Sequence, residues 1–270
     1  MRDWLARMRR PRLALIGLVL GLGVLVPPAG HVVRQYVFAQ AIQFAVLAIV
    51  VPALIVLGAP WRSLDRGRGG GLTRFVDRLA IRRSHDPRPG RSWLVLAAFV
   101  AVSLAWRLPV AVDALVRYPV LTAAEAATLV AAGCALWLEL ADSPPLLSPI
   151  SRPQRAAFAA LPMWAIWASA YIMGFSRTDW FAALAHPAGH GLSTVADQQI
   201  AAAVLLAIPG LCFVPVIYVS LMVWLRDSAD PDEELRSVPP AAAIPAAEAA
   251  PRLAPASSLI TAPRLRRPSA

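Results

Sequence analysis

Glu125 lies about one and a half turns inside the apolar run Val120–Leu140, with Thr122 and Thr128 three residues to either side. On a helix these three share a face. A carboxylate in such a run is expensive to bury and needs a partner or a task. Gln40 and Gln43 share a face near the start of the run Tyr36–Leu57, and Asp197, Gln198 and Gln199 stand at the start of a third. Three apolar segments thus carry polar groups at one level. Together they can line a shallow polar cavity that holds a metal ion or docks a polar segment of a partner. The structural alternative is interhelical hydrogen bonding, with Asp197 as the N-cap of its own helix.

His31, His186 and His190 lie in the connections at the same end. Histidines can ligate copper or zinc where other ligands converge. The His186–His190 spacing of four is broken by Pro187 and Gly189, so it is no helical pair. Met163 and Met173 are soft donors in kind, but in apolar helices methionine is first a packing residue. Catalytic motifs are missing: there is no G-x-S-x-G, H-E-x-x-H, C-x-x-C or phosphate-cradling glycine loop. Gly69-Gly70-Gly71 reads as a hinge. Cys134 and Cys212 fall inside apolar runs and give no disulfide framework. No enzyme is expected.

The elements that must position these groups follow from composition. The chain has 270 residues, 58% hydrophobic and 16% charged, with a mean hydropathy of +0.58. Soluble domains are nearer 45–50% apolar and about 25% charged. Soluble enzymes, disulfide-rich secreted domains and disordered chains are excluded. The fold class is all-α, a polytopic transmembrane bundle of about six helices. The six runs are Leu13–Val26, Tyr36–Leu57, Trp93–Trp106 (extendable to Val112), Val120–Leu140, Ala156–Phe175 and Gln198–Leu225. The first is short. It reads as a retained helix rather than a signal peptide, because no A-x-A-type cleavage site follows it.

Residues 1–12 form a basic N-terminus, 13–226 the bundle, and 227–270 a Pro- and Ala-rich tail that reads as disordered. All 26 basic residues are arginine, and asparagine is absent too; this bias points to a GC-rich bacterial genome. The N-terminus carries five arginines against Asp3, and the loop 58–91 carries nine against Asp65, Asp77 and Asp86. Two crossings separate them, so both lie on one side, the cytoplasm by the positive-inside rule. Six spans then leave both termini cytoplasmic in a cell inner membrane. Phe75, Val76 and Leu79 in that loop suggest an interfacial helix against anionic lipid. No nucleic-acid motif accompanies the arginines, so the bilayer is the partner they indicate.

Several segments in order resemble the CtaG family of cytochrome c oxidase assembly proteins. Val51-Pro52-Ala53-Leu54-Ile55-Val56-Leu57-Gly58-Ala59-Pro60 resembles that family's P-x-L-L-x-L-G-x-P stretch. Asp197-Gln198-Gln199-Ile200-Ala201, with Ile208-Pro209-Gly210 beyond it, resembles its D-Q-Q-L-A-G segment. Glu125 and the Leu161-Pro162-Met163 helix are a weaker third match. The resemblance covers roughly residues 31–226. It implies a non-enzymatic membrane factor that helps mature a haem–copper terminal oxidase at its copper centre, with oxidase subunits or a periplasmic copper carrier as partners. The positions where the family carries H-x-x-x-H fall here on Gln40 and Phe44. Those of its H-x-x-E-H pattern fall on Thr122, Glu125 and Ala126, so only the glutamate is kept. Two alternatives stand beside this reading: a metal-free membrane scaffold, and a small transporter centred on Glu125.

Overall fold

The structure, a computed structural model, describes residues 11–26, 29–61, 78, 89–184 and 192–229. The basic loop with Phe75, Val76 and Leu79, the C-terminal tail, and both His186 and His190 lie outside the described residues. The elements are α1 (Pro11–Leu25), α2 (Ala29–Val33), α3 (Val37–Ala45), a π-helical turn (Val46–Val50), α4 (Val51–Gly58), α5 (Pro89–Trp106), α6 (Pro109–Arg117), α7 (Leu121–Leu140), α8 (Arg152–Phe175), a 3-10 turn (Ala182–Leu184) and α9 (Thr194–Ala229).

Among the described residues four helices are long and apolar enough to cross a bilayer: Val37–Gly58, Leu121–Leu140, Arg152–Phe175 and Thr194–Ser228. The all-helical polytopic bundle expected from composition is therefore the fold. The expected six spans need revision at two places. The third is bent by 63° between Gly90–Trp106 and Pro109–Arg117. Leu108, forced out of the helical region by the proline after it, takes an extended conformation and breaks the helix. The first, α1, has 15 residues, which gives about 22 Å of helix against a hydrocarbon core of roughly 30 Å.

Val37–Gly58 is the most deeply buried span and the axis of the bundle. Its alanines Ala41, Ala45 and Ala48 are fully enclosed. Small side chains let neighbouring backbones approach, the usual route to tight packing where no hydrophobic drive operates between helices. The π-helical turn in its middle has a local cause. Pro52 lacks an N–H, and its ring collides with the carbonyl four residues back, that of Ala48. Widening the helix over Val46–Val50, with the Val51 amide donating to Val46 O, relieves that conflict.

α7 crosses this turn at Gly133. A Cβ there would run into Ala48 O and lie 2.5 Å from Pro52 Cγ. α1 packs on α4 in the same manner: a Cβ on Gly58 would meet the Ala14 amide at 2.5 Å. α9 is tied to α8 through the Trp167 indole, which donates to Leu206 O at 2.9 Å. It meets α7 where Phe213 stacks on Trp137, with ring centroids 5.7 Å apart.

Gly133→Val is thus expected to force α7 away from the π-helical turn, at about 1–3 kcal/mol. A Cβ added to Gly23 on α1 would meet nothing within 4 Å, so Gly23→Ala should leave stability level or slightly raised. Thermal unfolding of both variants in detergent checks the pair.

Candidate functional site

Helix starts leave amide N–H groups without partners, and a bilayer offers no water to satisfy them. At the start of α3, Tyr36 supplies no side-chain cap. The partner comes from far along the chain. The Asp197 carboxylate accepts from Val37 N at 2.8 Å and from Phe38 N at 2.9 Å, and Asp197 is wholly buried. A carboxylate at a helix N-terminus also gains from the helix dipole. The sequence pattern assigns Asp197 to the start of its own helix; in the structure its carboxylate caps α3.

Gln198 is the next latch. Its amide nitrogen donates to Met173 O at 2.8 Å and Thr178 O at 3.4 Å, and its oxygen accepts from Trp180 N at 3.1 Å. These bonds join α9 to the end of α8 and to the connection after it. Gln199 does not join them. It is exposed, because one further residue on a helix turns the side chain by about 100°.

The centre of the cluster is a residue that the sequence pattern did not single out. Arg107, at the break between α5 and α6, is 8% exposed. Its Nη1 donates to Gln40 Oε1 at 3.4 Å, and its Nη2 reaches Met173 Sδ at 3.6 Å. Its Cζ lies 5.6 Å from the ring centroids of both Phe44 and Phe181. Both are within cation–π range. Glu125, buried on α7, is the acid whose charge acts on it. Among the described residues no hydrogen bond is donated to the Glu125 carboxylate. The signal for Arg107 was present: a lone cation in the apolar run 93–112, and Glu125 well inside the next. Such a residue within a span calls for a named partner.

Gln43 is buried one turn deeper than Gln40, and its Oε1 has no hydrogen-bond partner. Ser103 Oγ, one turn from Arg107, has none either. Among the described residues Thr128 makes no hydrogen bond to the Glu125 carboxylate, only one to the Glu125 backbone oxygen at 3.1 Å. Its hydroxyl accepts from the Trp106 indole at 2.9 Å and donates to Ala124 O at 2.7 Å. His31 is exposed on α2 and pairs with Gln35 at 3.2 Å.

A second polar group forms at the opposite helix ends. Asp142 and Arg155 make a two-pronged pair at 2.8 and 2.9 Å, and the Ser148 amide adds a bond at 3.1 Å. Ser143 Oγ donates to Val56 O at 2.6 Å, closing the connection 141–151 over α4. Glu139, buried in the last turn of α7, accepts from Ser92 Oγ at 2.9 Å.

Helices of this length and hydropathy, with buried polar contacts gathered at their two ends, define a polytopic helical membrane protein. The chain belongs to the cytochrome c oxidase caa3 assembly factor family, whose family model matches residues 2–227. No curated protein and no solved structure matches the chain.

The resemblance implies copper, and the buried cluster can be tested for it. Copper sites draw on imidazole, thiolate and thioether donors. Gln40, Phe44, Thr122, Glu125 and Ala126 supply no imidazole, and the one sulfur at the cluster, that of Met173, is met by Arg107. Among the described residues no three of His, Cys, Asp and Glu converge. These residues do not fit copper.

Asp142 carries a pH prediction. Partial burial would raise its carboxyl, but the Arg155 hydrogen bonds, the Ser148 amide and the charges of Arg155 and Arg152 outweigh this and hold it below the ordinary value. A depressed folded value means stabilisation that is complete above the unfolded value of about 3.9 and is lost as pH falls through the folded one. Wild type should therefore unfold at a higher temperature than Asp142→Asn near neutral pH, and the gap should close below about pH 4. Thermal unfolding of both proteins across that range checks it.

Proposed function

We propose that this caa3 oxidase assembly factor serves as a rigid, non-catalytic docking frame on which an oxidase subunit or a copper carrier is held while the copper centre is completed. The observation that carries this reading is that two buried polar side chains of one bundle end, Asp197 and Gln198, satisfy that end's own backbone. Asp197 fixes the start of α3, and Gln198 fixes the connection at Thr178 and Trp180. What is left for a partner is a shaped surface of helix ends and connections. Any contact with carried copper then falls to His31, His186 and His190, the imidazoles of those connections, and not to Glu125. The nine arginines of loop 58–91 support that loop, and the C-terminus with it, being cytoplasmic, so that the Asp197 end faces outward from a cell inner membrane.

The test is the copper-to-haem ratio of the terminal oxidase purified from cells with and without this protein. Low copper with normal haem in its absence, restored by the wild-type chain, is the expected result. An unchanged ratio in normally abundant oxidase would remove the copper-centre role.

A further inference from the structure

Arg107 is placed as a bound cation would be. Its guanidinium lies between the rings of Phe44 and Phe181, each 5.6 Å away, with Gln40 Oε1 at 3.4 Å and Met173 Sδ at 3.6 Å. The charge of buried Glu125 acts on it without a hydrogen bond between the two. Two of the positions where the family resemblance sets histidines, Gln40 and Phe44, thus meet one side chain of the protein itself. We infer that Arg107 is the resident cation of this buried site, which makes it a guanidinium site closed to metal ions.

The donor set is matched to that occupant. A flat, delocalised, weakly hydrated cation gains from aromatic faces and an amide oxygen, whereas a compact ammonium or a copper ion gains less from them. A second cation entering beside the guanidinium meets its repulsion in a medium of low dielectric. Buried charges of this kind are kept only when paired. This inference rests on the geometry of the cluster and not on the role in oxidase assembly, so either can fail alone.

Two measurements on the full-length protein in lipid nanodiscs test it. In the first, thermal midpoints are compared for wild type, Arg107→Met, Glu125→Gln and the double variant. Each single change strands one buried charge and should lower the midpoint by several degrees. The double variant should recover half or more of the summed loss. Strictly additive losses would overturn the inference. In the second, Cu(I) is partitioned between the protein and a chromogenic chelator. Wild type and Glu125→Gln should take up copper with equal affinity. Uptake about tenfold weaker in Glu125→Gln would show Glu125 to be a metal ligand and contradict the inference. This comparison decides the matter even if Arg107→Met does not accumulate.

Discussion

One carboxylate at the mouth of the bundle conditions the rest of the structure. Val37–Gly58 is the axis on which α1 and α7 are assembled, and it begins with amides that have no carbonyl a turn earlier and no water to turn to. Asp197, 160 residues further on, accepts from two of them. That contact sets the first turn of α9 beside the start of α3. The neighbouring Gln198 then reaches the last turn of α8 and the connection beyond it. Two consecutive side chains therefore join three spans, and the register of α9 fixes which of them are joined.

The two ends of the bundle handle charge differently. At the Asp142 end the pair is a fork of two hydrogen bonds, with the aspartate side chain 31% exposed. Water can still reach the carboxylate, so removing Arg155 leaves a partly solvated group, whereas Arg155 itself is buried. At the Asp197 end Arg107 and Glu125 are both enclosed, and aromatic rings take the place of water around the cation. Losing one partner there leaves a charge buried alone, which is the costlier event. The π-helical turn divides these regions. It absorbs the conflict at Pro52 and lets Gly133 bring α7 against Ala48.

Much of the fold was legible because apolar length is a local property. The runs ending in Leu140, Phe175 and Leu225 predicted three spans within a few residues, and Tyr36–Leu57 predicted the axis. The run Trp93–Trp106 matches α5, but its extension to Val112 does not continue that helix, which breaks at Leu108, before Pro109, while apolar composition continues unchanged. Within the site, Glu125, Gln40 and Gln43 stood out as polar residues in apolar surroundings, and all three are buried. Arg107 could be suspected as the lone cation of its run, but the pairings themselves were not legible. Which guanidinium faces Glu125, and which amides face Asp197, depend on helix packing between segments far apart in the chain. Arg107 stands at the margin of an apolar run, where arginine ordinarily meets headgroups. The bend at 63° instead turns that margin inward.

The frame depends first on the Asp197 cap. Amide hydrogen exchange of the segment covering Val37 and Phe38, measured for wild type and Asp197→Asn in nanodiscs, tests it most directly. The neutral amide keeps the size of the carboxylate and loses the charge-assisted acceptor pair. Slow exchange in the wild type and markedly faster exchange of that segment in the variant is the expected result. Equal protection in both would mean that α3 starts without help from α9, and the frame described here would not be what holds this end of the bundle together.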